Sequence, residues 1–158
     1  MNYYEEEVLI IPANKSGKLA EDPNCGIYEC PANSKGQYRT RAETRSLYVA
    51  FRQNGKINHL YKIQDIVALC LGDTSAIDSL DNTQKYPNIK KRLNYYIQNS
   101  PSVDLTNTKY VFILDLNNTI ELPYTVTYHS LKGKAGHEFR KLNELIRKPQ
   151  KGSNMIYI

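Results

Sequence analysis

The sequence predicts an α+β fold, with a curved, mostly antiparallel sheet or small open barrel and two flanking helices. The first observation is a pair of alternating apolar and polar runs on either side of Asn54-Gly55, which is typical of a β-hairpin. The second is the apolar spacing of a helix in two stretches, 87–98 and 136–147. The third is the absence of β-α-β alternation, which argues against a doubly wound parallel sheet. A chain of 158 residues is expected to form one domain, 1–158.

The length of the hairpin loop sets the register, and each register places a different set of side chains on one face of the hairpin. A two-residue loop would place Tyr48 opposite Tyr61 and would mix apolar and charged residues on both faces. A three-residue loop, with Gly55 in the left-handed conformation, places the apolar residues on one face. A one-residue slip in register would move every side chain to the opposite face. We therefore predict a three-residue loop, with these pairs: Leu47 with Tyr61, Val49 with His59, and Phe51 with Ile57. The opposite face would then expose Tyr48, Arg52, Lys56, Asn58 and Lys62.

The remaining elements are predicted from short apolar runs and from turn residues. Strands are expected at 8–11, 26–30, 109–116, 119–122, 124–128 and 154–158. The second hairpin strand is expected to continue through 63–71, although 67–71 could equally be the last turn of a helix. Asn117-Asn118 is expected to form the tight turn of a second hairpin. Polar or acidic composition predicts a loop at 13–24 and a linker at 72–84.

The positive charge is concentrated in two blocks. The chain has 21 basic and 16 acidic residues, a net charge of +5. Residues 35–62 contain seven bases and one acid, and 132–151 contain seven bases and two acids, whereas 63–82 contain four acids and no base. Clustered positive charge suits a polyanionic partner, although a solvated surface accounts for modest basicity nearly as well.

The cysteines and the hydropathy exclude some classes of protein. Cys25, Cys30 and Cys70 are too few for a four-ligand zinc site and odd in number for a disulfide framework, so free thiols without metal are expected. No apolar run approaches the ~18 residues of a membrane span, and the acidic start of the chain is unlike a signal peptide. A cytoplasmic protein without a cofactor is therefore expected.

Catalytic signatures are weak. The sequence has no Walker loop, GxGxxG, HExxH or GxSxG motif. Asp115 and Glu121 lie across the predicted turn and could share a metal, but acids at strand ends are usually solvated. Three histidines could act as base and acid in metal-independent phosphodiester cleavage. These histidines are His59, His129 and His137. A simpler explanation is that His59 lines the apolar side of the hairpin, whereas His129 lies in a loop and His137 at the start of a helix.

The strongest functional signal is a basic segment that contains tyrosines. Arginine forks bind phosphate in a bidentate manner, and tyrosine rings can stack on bases. The candidate nucleic-acid-binding residues are Tyr38, Arg39, Arg41, Arg45, Tyr48, Arg52, Lys56 and Lys62. The alternative is that Glu43 pairs with one arginine and the others are solvated.

The order of elements resembles the PUA-like superfamily, including its EVE and ASCH relatives. The resemblance rests on SLYVAFRQNGKINHLYKIQDI followed by YVFILDLNNTIELP, and it covers about 26–123. It implies a small open barrel that binds nucleic acid, often a modified or flipped base. The chain lacks tryptophan, which departs from the aromatic cage of EVE-type readers, and no functional residue is carried over.

Three functional hypotheses follow. The first is a non-catalytic binding module for DNA or RNA that contacts phosphates and one base through the hairpin face. The second is a small histidine-dependent nuclease. The third is an interaction module of bacterial or phage defence that binds an acidic protein partner. No membrane partner is expected in any of them.

Overall fold

In the part of the chain that the structure describes, seven strands form one curled sheet and four helices pack around it. The structure is a computed structural model, and it describes residues 7–31, 46–128 and 138–158. The strands in these ranges are β1 Glu7–Pro12, β2 Ile27–Pro31, β3 Tyr48–Arg52, β4 Lys56–Leu69, β5 Lys109–Thr127, β6 Glu138–Lys141 and β7 Met155–Tyr157. The helices are α1 Lys15–Glu21, α2 Thr74–Asn82, α3 Ile89–Asn99 and α4 Leu142–Ile146. None of these described helices has the length and apolar character needed to cross a membrane.

The sheet has the order β2-β5-β4-β3-β1-β6, and β7 pairs with the end of β5. Tyr28 of β2 and Phe51 of β3 have ring centroids only 5.4 Å apart. Because β5 and β4 lie between these strands, a flat sheet at ~4.8 Å per strand would hold them roughly 14 Å apart. The contact therefore shows that the sheet curls into a half-barrel. This confirms the predicted α+β class with a curved sheet or small open barrel.

The sheet is mixed rather than purely antiparallel. The β1–β3 and β5–β7 pairs are parallel, whereas β2–β5, β3–β4, β4–β5 and β1–β6 are antiparallel. The strands predicted at 8–11, 26–30 and 154–158 are confirmed as β1, β2 and β7.

The hairpin forms where the sequence predicts it, but the three-residue loop is wrong. Gln53 and Lys56 exchange both backbone hydrogen bonds, at 3.0 Å each, and enclose a two-residue loop. Asn54 and Gly55 both have positive φ, 52° and 74°, which is the conformation that favours Asn-Gly. Further along the ladder, Val49 pairs with Tyr61.

The predicted pairs are wrong for two reasons: the loop is one residue shorter than predicted, and β4 carries one extra residue further along the ladder. Between the Gln53–Lys56 and Val49–Tyr61 pairs, β4 contains one residue more than β3, so the register shifts within the hairpin. Tyr48 consequently lies opposite Lys62. A register argument that assumes a regular ladder cannot detect this irregularity.

Asn117-Asn118 does not close a second hairpin. β5 runs through it as one strand of 19 residues that pairs with β4 on both sides of the two asparagines. Tyr61 pairs with Thr119 whereas the next residue, Lys62, pairs with Asp115, so three β5 residues bulge out of the ladder. The side chain of Asp115 holds this bulge by accepting hydrogen bonds from the Asn117 amide at 3.1 Å and from the Asn118 side chain.

Two helices occur where loops are predicted. α1 lies within the predicted loop 13–24, and Gly17 allows it to approach β3, since a Cβ on Gly17 would lie 3.0 Å from the Phe51 Cβ. α2 lies within the predicted linker 72–84, and the Asp73 side chain caps it by accepting from the Ala76 amide at 3.1 Å.

The predicted helix at 87–98 is confirmed as α3. The predicted helix at 136–147 is wrong for 138–141 and confirmed for 142–146. Glu138–Lys141 pairs with β1 as β6, and only Leu142–Ile146 is helical.

Apolar clusters cover both faces of the central strands. The inner cluster packs Val49, Phe51, Tyr61, Tyr28 and Phe112 beneath α1. The opposite cluster packs β1, β3, β4 and β5 side chains against α4 and β7, and it includes Tyr48. A third cluster joins α2 and α3 to β2 and β5. β3 is therefore buried on both faces.

Arg92 ties α3 to the sheet. It is buried, and it donates hydrogen bonds to the carbonyls of Cys25 at 2.7 Å, Gly26 at 3.1 Å and Leu114 at 2.6 Å. Burial lowers the pKa of its guanidinium, which nearby Cys25 and Asp115 partly offset. The carbonyl acceptors satisfy a charge that would otherwise be costly to bury.

Candidate functional site

The structure divides the eight predicted binding residues into three groups. Four of them, Tyr38, Arg39, Arg41 and Arg45, lie outside the described residues. Tyr48 and Arg52 are buried, at 9% and 6% exposure. Lys56 is exposed and Lys62 is half-buried. The prediction that Tyr48 and Arg52 face solvent is therefore wrong, whereas that for Lys56 is confirmed.

Arg52 enters the core because its strand has no solvent face. Its guanidinium carbon lies 4.6 Å from the centroid of the Tyr128 ring, and its Nη1 lies 3.9 Å from Glu138 Oε1. The Tyr128 hydroxyl donates a hydrogen bond to the same carboxylate. Burial lowers the pKa of Arg52, and the charge of Glu138 opposes this change. Arg52 thus belongs to an internal cation–π and ion-pair cluster that connects β3 to the ends of β5 and β6.

A second basic region remains on the surface, and it is built by the chain after α4. Arg147 Nη2 donates to the Tyr157 carbonyl at 2.8 Å, which holds the 147–154 loop against β7. The loop turns at Gly152, whose φ is 84°, and the Ser153 amide donates to the Gln150 carbonyl at 3.0 Å. These bonds fix a short basic loop beside the edge strand.

Strand alternation decides which β7 side chains face outward. Ile156 is buried in the opposite cluster, whereas Tyr157 is 42% exposed and Met155 is half-buried. Because successive side chains on a strand point to opposite faces, Met155 and Tyr157 share the outer face.

Lys56 of the predicted site belongs to the same outer face. It pairs with Thr127 of β5, and Thr127 pairs with Tyr157 of β7. Directly paired residues project from the same side of a sheet, so Lys56, Thr127 and Tyr157 form one row. We call Lys56, Arg147, Lys148, Lys151 and Tyr157 the C-terminal surface.

A cleft of about 270 Å³ lies within the C-terminal surface. Arg147 and Lys148 are exposed, and both contribute to its wall. The cleft is lined by Arg147, Lys148, Pro149, Gln150, Ser153, Met155, Ile156 and Tyr157. Among the described residues, this lining contains two cations and no acid, so the described part of the cleft has the chemistry of an anion site.

A larger, open groove of about 780 Å³ at α2 and α3 has a different charge balance. Lys90 and Lys91 line it, but Asp81 lines it too. In addition, Lys90 Nζ lies 2.6 Å from Asp78 Oδ1, and this pairing raises the pKa of Lys90. The positive charge of this groove is therefore partly neutralised.

Of the three histidines, only His59 lies within the described residues. It is half-buried on β4, where it pairs with Glu121 of β5, and its ring centroid lies 6.1 Å from that of Tyr61. Burial raises the pKa of Glu21 of α1, although its hydrogen bond with Gln53 and the nearby His59 oppose this change. Gln53 donates to the Glu21 carboxylate at 2.9 Å, so these polar groups also anchor α1 to the hairpin turn.

The predicted grouping of Asp115 and Glu121 does not occur. No turn brings them together, and they pair with different residues of β4, Lys62 and His59. Across the described ranges, no three acidic, histidine or cysteine side chains converge as metal ligands.

Cys25, Cys30 and Cys70 are free thiols, of which the first two are buried. Burial raises the pKa of Cys25 to about 11 and that of Cys30 to about 12. Thiols with such values are almost entirely protonated at neutral pH, so neither is an effective nucleophile.

Comparison of the chain with protein-family models, with curated proteins and with solved structures finds no match. The fold and the C-terminal surface define a small α+β half-barrel domain with a cationic cleft at one sheet edge. The PUA-like relationship stays a prediction from the order of elements.

The sequence contained one signal for the C-terminal surface. The basic block 132–151 includes Arg147, Lys148 and Lys151. The charge alone could not show that the loop folds beside Lys56, because that placement depends on β7 pairing with β5.

Proposed function

We propose that this protein is a non-catalytic binding module for nucleic acid, and that the C-terminal surface contacts the phosphate backbone. The observation that carries the proposal is the cleft whose wall, within the part of the chain that the structure describes, contains Arg147 and Lys148 and no acid. Lys56 lies on the same outer face through its row with Thr127 and Tyr157. The PUA-like resemblance supports the same function independently.

The residue types suit phosphate better than an isolated carboxylate. Arginine offers five N–H donors in a planar fork, and lysine adds a mobile point charge. One Arg147 nitrogen holds the Tyr157 carbonyl, which fixes the position of the guanidinium. A fixed fork beside exposed lysines can follow a chain of phosphates, and each phosphate contact releases condensed counterions.

The test is the salt dependence of binding to a fluorescent oligonucleotide, measured by anisotropy. The logarithm of the binding constant should fall linearly with the logarithm of salt concentration, with a slope of about −0.7 to −0.9 per phosphate contact. Arg147→Ala and Lys148→Ala should each reduce the magnitude of this slope by about that amount.

Lys91→Ala is the matched control, because Lys91 is exposed but lies in the mixed-charge groove of α3. It should leave the slope unchanged. If the Arg147 and Lys148 variants fold normally and bind with the parental slope, the C-terminal surface is not the phosphate contact. If the oligonucleotide does not bind at low salt, an acidic protein becomes the leading partner.

A further inference from the structure

We infer that the C-terminal surface selects single-stranded over duplex nucleic acid, with the Tyr157 ring stacking on a base beside phosphates held by Arg147 and Lys148. This inference rests on the proposed function and specifies its ligand. It is carried by the orientation of Tyr157, by its place in one cleft with the cationic residues and by the shape of the surface.

The Tyr157 ring lies along the sheet rather than standing away from it. Its hydroxyl donates to the Met155 sulfur at 3.9 Å, and Met155 is two residues earlier on the same strand. Such residues are about 6.6 Å apart on one face, so the ring must lean back along β7 to make this contact. At 42% exposure, Tyr157 is accessible to a ligand on this outer face.

Neighbouring polar contacts hold this arrangement in place. The Thr127 hydroxyl donates to the Met155 sulfur at 3.6 Å, and the Ser153 hydroxyl donates to the Met155 carbonyl at 3.1 Å. The Ile158 amide donates to the Thr127 carbonyl at 3.0 Å, which continues the β5–β7 ladder past Tyr157. A ring supported in this way can stack on a base with little further loss of conformational freedom.

Tyr157 and the two cationic residues line the same cleft. Arg147 Nη2 lies 2.8 Å from the carbonyl oxygen of Tyr157 itself, and both residues line the cleft together with Lys148. A base on Tyr157 and its neighbouring phosphate at Arg147 would therefore belong to the same or the next nucleotide. Aromatic platforms beside a positively charged groove are characteristic of single-strand recognition.

The shape of the surface does not suit a duplex groove. The major groove of B-DNA is about 12 Å wide and is read by a projecting helix or a two-stranded ribbon. Here the ligand would meet the outer face of β7 and a cleft of about 270 Å³. The neighbouring α4 has five residues and buries Leu142 and Leu145 against the sheet. A splayed base fits this surface, whereas a stacked base pair keeps its faces covered.

The experiment compares a labelled oligodeoxythymidine of about 12 nucleotides with a duplex of the same length at one salt concentration. The single strand should bind at least about tenfold more tightly, because only its bases can stack. Tyr157→Leu should weaken single-strand binding about 5- to 150-fold and leave the salt slope unchanged. Tyr157→Phe keeps the ring and should bind within about threefold of the parent.

Tyr95→Leu is the matched control, since Tyr95 lies in the groove of α3 and its hydroxyl donates to Asp22 at 2.9 Å. It should not change the affinity. Thermal unfolding verifies that each variant is folded. If Tyr157→Leu does not fold, the preference of the parent for single strand over duplex and the affinity of Tyr157→Phe still test the inference.

Equal or tighter binding of the duplex, with Arg147 still required, would overturn the single-strand inference and keep the proposed function. Parental affinity in a folded Tyr157→Leu variant would also overturn it. Failure of both ligands to bind would overturn the proposed function itself.

Discussion

The β3–β4 hairpin and the C-terminal surface carry the same kinds of residue in opposite surroundings. Each combines arginine and lysine with tyrosine. Tyr48 and Arg52 of the hairpin are 9% and 6% exposed, whereas Tyr157 is 42% exposed and Arg147 is exposed. Basic and aromatic composition therefore does not by itself distinguish a binding face from a core.

The difference arises from where each strand lies in the sheet. β3 lies between β4 and β1, with the inner cluster on one face and the opposite cluster on the other. Alternating polar residues on such a strand enter the interior, where Arg52 is stabilised by the Tyr128 ring and Glu138. β7 is off the main path of the sheet, and β5 is its only partner among the described strands. Its successive side chains therefore point alternately into the core and into solvent.

The largest expected effect concerns the core beneath the hairpin. Phe51→Ala should lower the free energy of unfolding by about 3–5 kcal/mol, because it removes a buried ring from the inner cluster. Phe51 lies 5.4 Å from the Tyr28 ring and 6.1 Å from the Tyr61 ring, centroid to centroid. Denaturant unfolding measures the loss. A loss below about 1 kcal/mol would mean that β3 is not a central strand.

The next largest effect is the difference in stability loss between Arg52→Ala and Lys56→Ala. Arg52→Ala should destabilise the protein by about 2–3 kcal/mol, since it removes a desolvated cation from the Tyr128 ring and from Glu138. Lys56→Ala should change stability by less than about 0.5 kcal/mol, because Lys56 is exposed. Paired denaturant titrations give both values.

The two substitutions should affect oligonucleotide binding in the reverse order to their effects on stability. At temperatures where both variants are folded, Lys56→Ala should weaken binding and Arg52→Ala should not. A stable Arg52→Ala variant with reduced salt slope would restore the hairpin as the phosphate contact.

The smallest effect is a pH response of the core. Burial raises the pKa of Cys30 from 9.0 to about 12, although the nearby Lys109 charge opposes the shift. Its contribution to stability is complete below pH ~9 and is lost as pH rises toward 12, because the unfolded chain releases this proton first. Cys30 should therefore account for a loss of about 1 kcal/mol between pH 9 and 10.

Cys30→Ala provides the comparison, because it removes the titrating group from the inner cluster. The parent should lose more stability than the variant over this pH interval in chemical denaturation. Parallel pH profiles for the two proteins would contradict the burial of the Cys30 thiol.

The sequence predicted elements with strong local signals, and the structure corrects those that depend on long-range pairing. The Asn-Gly hairpin, α3 and the edge strand β7 are confirmed. The Asn117-Asn118 turn is wrong because a side-chain network at Asp115 makes the same residues a bulge within β5. The missed α2 did have a sequence signal, since Asp73 is a favourable N-cap residue before Thr74.

The candidate site was harder to predict than the fold. Arg52 and Lys56 are four residues apart near one turn, and only the tertiary structure shows that the first is internal and the second is on the surface. Likewise, Lys56 and Tyr157 are about a hundred positions apart in the sequence and become neighbours in a row only through the β4-β5-β7 ladder.

The most direct test of the central claim is lysine acetylation read by mass spectrometry, with and without bound oligonucleotide. Lys56, Lys148 and Lys151 should be protected by the ligand. Lys90 and Lys91, which line the mixed-charge groove, should react at the same rate in both samples. Protection of Lys90 and Lys91 with none at Lys148 and Lys151 would contradict the assignment of the C-terminal surface as the nucleic-acid interface.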